Sequence, residues 1–154
     1  MNVTTLEPIS KKHPFFAGLD DAAIALISGC AKNVRFEAGT TLARQGEAAD
    51  VFYLLREGRV AVAFPSPQGE VTIQTLNAGD VVGWSWLMPP YEWQFDVKAV
   101  KQVRAIAMDG KCLRNKCEDD TGLGYELMKR LSRVMVERLQ ATRLQLLDVY
   151  GNQE

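Results

Sequence analysis

The sequence predicts a mainly β domain with flanking helices: an antiparallel sandwich or barrel between N-terminal helices and a long C-terminal helix. Three observations predict it. Short β-rich runs punctuated by Gly or Pro recur between Lys32 and Asp109, and helical periodicity takes over on both sides of them. At 154 residues the chain is long enough for one cored domain and short for two. A single domain over 1–154 follows, with a helical segment at 1–31, the β region at 32–109 and helices at 110–150.

In chain order, Ser10 opens a segment with a basic pair and the lone histidine, His13. Asp20-Asp21 then supply a cap and first turn for a helix whose buried side is Ile24, Leu26 and Ile27. From Lys32 the period changes. Val34 and Phe36 alternate with polar neighbours, Gly39 turns the chain, and Thr41-Leu42-Ala43 resumes. VFYLLREGRVAVAFP (51–65) and EVTIQTL (70–76) are strands joined by turns at Glu57-Gly58 and at 65–69, and FDVKAV (95–100) and VRAIAM (103–108) add two more.

After Asp109 the run GKCLRNKCED reads as a short helix, and Thr121 or Gly122 starts a long one ending near Gly151. Within it Met128, Ser132, Met135, Leu139, Thr142, Leu146 and Val149 form a heptad seam, with Leu127, Leu131 and Val134 as a second stripe beside it. One stripe packs on the β domain and the other meets a partner helix. A homodimer through this helix is the expectation, of modest strength because Ser132 and Thr142 dilute the seam.

Composition narrows the function classes. Net charge is −1 with a pI near 5.9, so nothing global favours nucleic acid or an anionic membrane. Between Arg59 and Lys98 there is no Lys or Arg, while Glu70, Asp80, Glu92 and Asp96 lie there, which suits an anion poorly. Cys30, Cys112 and Cys117 are odd in number and lack C-x-x-C spacing, so they read as reduced cytosolic thiols that share no metal, with Cys30 buried. No apolar run approaches a membrane span, and a soluble, cytoplasmic protein is expected.

His13 precedes every strand, which leaves no histidine for a catalytic metal, a bis-histidine haem or a nucleophile–histidine pair inside the β region. His13 itself reads as a surface or capping residue. Asp80 and Asp96 are the remaining paired carboxylates, and Asp80, after Gly79, reads as a turn residue. The expectation is no enzyme, no cofactor and no metal.

The run PFFAGL (14–19), the element FEAGTTLARQGEAADVFYLLREGRVAV (36–62) and LNAGDVVGWSWL (76–87), followed by a helical C-terminus, resemble the cyclic nucleotide-binding domain. That family includes the effector domain of catabolite-activator-type regulators and the regulatory domains of cyclic-nucleotide-dependent kinases and channels. The resemblance spans about residues 12–147 and rests on Gly39, Leu42, Gly46 and Glu47, on Tyr53, Leu55 and Gly58, and on Gly79, Asp80 and Gly83 together. It implies a double-stranded β-helix, or jelly-roll barrel.

The resemblance also implies that VVGWSWLMPPYEWQFDVKAV (81–100) occupies the place of a phosphate-binding cassette. In the family that cassette is a strand, a short helix and a loop; an arginine and the helix N-terminus hold the phosphate, and a glutamate takes the ribose hydroxyl. Here Trp84 stands where the glutamate would be, and Trp93 falls at or next to the arginine.

The candidate ligand-binding residues are therefore Val82, Gly83, Trp84, Ser85, Trp86, Trp93, Gln94, Phe95 and Asp96, as a degenerate cassette in which cAMP or cGMP binds weakly or not at all. Three outcomes stay open. The tryptophans fill the volume; or they line a site for an uncharged or cationic planar ligand anchored by Asp96 or Glu92; or a cyclic nucleotide binds through other contacts. Only Gly151-Asn152-Gln153-Glu154 follow the long helix, so no DNA contact and no membrane contact are expected. The functional expectation is a stand-alone regulatory module acting on an unknown protein partner, with a possible small-molecule ligand. A ligand-free scaffold of a larger complex is the alternative.

Overall fold

The computed structural model describes residues 13–151; the Ser10–Lys12 part of the expected N-terminal helical segment lies outside them. A single 3-10 turn, Pro14–Phe16, leads into α1 (Asp21–Ser28). Eight strands follow: β1 (Ala31–Phe36), β2 (Thr41–Ala43), β3 (Val51–Glu57), β4 (Arg59–Ser66), β5 (Gly69–Asn77), β6 (Val81–Val82), β7 (Asp96–Ala99) and β8 (Val103–Asp109). Helices α2 (Gly110–Asp119) and α3 (Thr121–Gly151) complete the chain.

The strands form two four-stranded antiparallel sheets, ordered β1-β8-β3-β6 and β2-β7-β4-β5. They do not close into the expected barrel. Closure needs a hydrogen-bonded ladder across every edge, and the edge strands β6 and β2 have only two and three residues. The jelly-roll is an open sandwich.

Strands β3 and β8 explain why their sequences read as continuous apolar runs. Side chains alternate across a strand, and here both faces are covered. Phe52, Leu54, Ile106 and Met108 face a cluster made with Phe16, Ile27, Leu113, Leu127 and Leu131 of the helical layer. Tyr53, Leu55, Val103, Ala105 and Ala107 face a second cluster between the sheets, with Val60, Val62, Trp93 and Val97.

Helix α1 is capped by Asp20, whose carboxylate accepts from the Ala23 amide at 2.8 Å. Its buried face is Ile24, Ile27 and Ser28, an i, i+3, i+4 set; Leu26 is exposed, against expectation, because it points away from that face. The cysteines also depart from expectation. Cys30 and Cys112 form a disulfide across a sequence separation of 82. The antiparallel register pairs Ala31 with Met108, so the residue before β1 and the first turn of α2 meet with Cα atoms 5.8 Å apart. Linear spacing could not show this. Cys117 is free and half-buried, and burial pushes its thiol pKa up.

Helix α3 has 31 residues, about 46 Å at 1.5 Å per residue. Leu123, Leu127 and Leu131 bury its first turns. Of the seam, Met135 is half-buried, whereas Met128, Ser132, Leu139, Thr142, Leu146 and Val149 are exposed. Val136, Leu144, Leu147 and Tyr150 are exposed as well. Among the described residues no helix is long and apolar enough to cross a membrane.

Candidate ligand-binding site

The chain between β6 and β7 builds the site. β6 is held to β3 by the pairs Tyr53–Val82 and Leu54–Val81. Gly83 then turns at φ +96°, and a Cβ there would stand 2.6 Å from the Trp93 ring, so the indole lies directly on this glycine. Residues 83–95 contain no helix, unlike the cassette that the resemblance implied. They form turns, with Leu87 N–H donating to Trp84 O at 3.1 Å and Tyr91 N–H to Met88 O at 3.0 Å. Pro89 and Pro90 lack the amide hydrogens a helix needs, and each proline disfavours the helical region for the residue before it. The segment is fastened instead to the loop after β2, through Trp93 N–H to Glu47 O (2.9 Å), Gly46 N–H to Trp93 O (2.8 Å) and Ala49 N–H to Tyr91 O (2.7 Å).

Two arginines from the helices clasp this segment. Arg114 of α2 lies 4.2 Å over the Tyr91 ring and donates to the Trp86 carbonyl. Arg138 of α3 lies 4.9 Å over the Trp84 ring and donates to the Val81 carbonyl. Each contact combines a cation–π stack with a charge-assisted hydrogen bond. Burial lowers the Arg138 pKa to about 10, although the carboxylates of Asp80 and Glu137 favour its charged form.

The three tryptophans have separate fates. Trp86 is buried on the helix side of the sheet, stacked on Phe52 with centroids 4.8 Å apart and planes 10° from parallel, and its Nε1 has no hydrogen-bond partner among the described residues. Trp93 is buried between the sheets. Trp84 is half-buried beneath Arg138.

Between Trp84 and Trp93 an open cavity of about 470 Å³ remains, which the indoles do not fill. Val82, Gly83, Trp84, Ser85, Trp93, Gln94 and Phe95 line it, with Val62 and Val97 of the sheet. Trp86 does not, because it points into the other core cluster. Asp96 does not either; its carboxylate accepts from the Gln45 amide at 2.8 Å and anchors the loop after β2. Glu92 is exposed and bridges to Ala48. Neither acid supplies the expected anchor.

The far wall comes from α3. Met135, Leu139 and Thr142, three residues of the heptad seam, line the cavity together with Arg138 and Gln145. The sequence reading missed Arg138. The signal was present: Arg138 is three residues from Met135 and adjacent to Leu139, on the edge of the apolar face. Arg138 is the one charged side chain among the lining residues.

The groups first considered for catalysis are occupied structurally. His13 is buried; Nδ1 accepts from the Phe15 amide (3.1 Å), which puts the proton on Nε2, donating to the Leu55 carbonyl (3.0 Å). Burial, the largest cause, lowers its pKa below 6.5. The Asp80 carboxylate accepts from the Asn77 amide (2.8 Å) and closes the turn before β6. Among the described residues no three His, Cys, Asp or Glu side chains gather as a metal site.

The chain is similar to known proteins over this same region. The profile of the cyclic nucleotide-binding domain matches residues 33–120, more than half of the sequence. The "CRP-like cAMP-activated global transcriptional regulator" of Mycobacterium tuberculosis is 27% identical over 145 residues, covering 94% of this chain and 63% of the relative. The "cAMP-activated global transcriptional regulator CRP" of Salmonella typhimurium is 30% identical over 124 residues, covering 76% of this chain and 57% of the relative. The chain thus spans about three-fifths of the length of these relatives.

Among solved structures, a Geobacter metallireducens protein described as cyclic nucleotide-binding superposes with a TM-score of 0.77 at 27% identity, over 90% of this chain and 98% of that one. A cyclic nucleotide-binding domain of Methylobacillus flagellatus gives 0.79 at 17% identity, over 95% and 83%, a likeness of fold. With the matched profile lying on the sandwich and the 81–95 segment that walls the cavity, the chain belongs to the cyclic nucleotide-binding domain family.

Proposed function

We propose that this chain is a regulatory module that senses a small molecule in the cavity and transmits its presence through α3 to a protein partner. One observation carries the reading: Met135, Leu139 and Thr142 belong both to the cavity wall and to the heptad seam, of which Leu139 and Thr142 are exposed. A ligand packed against these side chains changes what they offer to a second copy of the helix, so occupancy and dimerisation share an energy. Homodimerisation through the seam, a protein partner and a cytoplasmic setting belong to this reading. Catalysis does not; regulatory binding is the role carried by the relatives' names.

Cyclic nucleotide binding in the usual way is not part of the reading. The resemblance puts Trp84 where a ribose acceptor would stand, and among the described residues no acidic side chain lines the cavity and no helix begins between residues 83 and 95. Losing a charge-assisted contact to a desolvated charge costs about 2–5 kcal/mol. A second reading, cAMP or cGMP held by Arg138 in place of a cassette arginine, is favoured by the relatives' names as cAMP-activated regulators. Calorimetric titration of both nucleotides decides between them: no heat at micromolar concentrations is expected, and a micromolar or tighter constant rejects the first reading. A ligand-free scaffold would show no ligand-dependent rise in melting temperature with any small molecule.

A further inference from the structure

The cavity wall carries more chemical information than its shape. Its lining is apolar and aromatic with a few neutral polar groups, and its sole charge is the Arg138 guanidinium. Among the described residues no acidic side chain lines the interior, which removes the cationic ligand expected from the sequence: a cation would be buried beside Arg138 with no carboxylate on the wall to pair with it. A guanidinium has five N–H donors, and Arg138 gives one bond to the Val81 carbonyl while its face rests on Trp84. Among the described residues it forms no ion pair with a carboxylate within 4.0 Å, so a partly desolvated cation with donors to spare borders an apolar space. The volume, about 470 Å³, is within the range of small-molecule sites.

We propose that the cavity binds a flat, largely apolar carboxylic acid, its ring body among Trp84, Trp93 and Val97 and its carboxylate on Arg138. The assignment rests on the sensory reading and narrows it. One planar carboxylate matches one guanidinium fork and neutralises it. A phosphate monoester would bring a second negative charge with no second cation, and a ribose would bring hydroxyls with no acidic acceptor. The guanidinium that would take the ligand's carboxylate on its spare donors also holds the Val81 carbonyl, which links ligand charge to the contact between α3 and β6.

The test uses the full chain and three probes of matched shape in calorimetric titrations: 2-naphthoate, 2-naphthamide and 2-naphthylmethylammonium. Naphthoate is expected to bind, the amide at least about 30-fold more weakly, and the ammonium undetectably. Arg138→Gln should remove most of the preference for naphthoate over the amide, bringing the two affinities together. The charge series on the unaltered protein needs no variant, so it stands even if Arg138→Gln fails to fold. Amide or ammonium binding as tight as naphthoate overturns the acid assignment and leaves the cavity a ligand site. Silence of all three overturns the assignment but not the sensory reading, which falls separately if no small molecule raises the melting temperature.

Discussion

Gly83 and Trp93 share one space: the α-hydrogen side of the glycine, at φ +96°, is covered by the indole so closely that a Cβ would stand 2.6 Å from Cη2. Both requirements, left-handed backbone and absent side chain, fall on the residue that ends β6 and opens the cavity. Gly83→Ala is therefore expected to lower stability by about 2–4 kcal/mol, from positive-φ strain plus displacement of a packed ring. Gly39 supplies the control, since it has a similar φ of +91° with nothing within 4 Å. Gly39→Ala should cost only the backbone part, about 1–2 kcal/mol. Denaturant unfolding of both variants measures the difference, and equal losses would remove the contact from the explanation.

The Cys30–Cys112 bond ties the end of α1 to the start of α2 across the β1–β8 ladder. Reduction is expected to lower stability by about 2–4 kcal/mol, chiefly by releasing a long loop in the unfolded chain. Thiol titration of the denatured protein should count one free thiol, Cys117, before reduction and three after it. Three thiols before reduction would show that the bond does not form.

These two sites also mark how far the sequence could be read. Strand and helix positions were legible because period-2 and period-3.6 patterns are local properties of the chain, and Asp20 and Asp109 cap the helices they precede. The disulfide was not legible, because it depends on the register of two strands far apart in sequence, which pairs Ala31 with Met108. The candidate site was half legible. Its Gly83–Trp84 and Trp93–Phe95 parts are contiguous, so their type and spacing announce them. Which core cluster each indole enters depends on turns around Pro89-Pro90 that have no period. Arg138 arrives from a distant element, and only packing of α3 on the sandwich brings it to the cavity.

His13 gives the pH prediction. Its folded-state pKa lies below 6.5, mainly through burial, while the backbone bond to Leu55 and the charge of Asp80 act in the opposite direction. Between the lowered value and 6.5 the unfolded chain binds the proton first, so stability rises with pH across that window. The contribution is fully present above pH 6.5 and is lost as pH falls through the folded value. Unfolding measured from pH 7.5 to pH 5 should show this slope, and His13→Gln should flatten it. A variant that keeps the slope would place its origin elsewhere.

The two apolar stripes of α3 should separate stability from association. Leu131 is 1% exposed in the helix-side core, so Leu131→Ala is expected to cost about 2–5 kcal/mol whatever the oligomeric state. Leu146 is 52% exposed, lies on the seam and does not line the cavity. Leu146→Asp should leave the unfolding of the isolated subunit within about 0.5 kcal/mol, while placing a charge between paired helices. Sedimentation of the unaltered chain is expected to give a dimer and that of Leu146→Asp a monomer. Because the heptad seam shares Met135, Leu139 and Thr142 with the cavity, the same experiment with saturating ligand should move the monomer–dimer constant, and an unmoved constant would disconnect the cavity from association through α3.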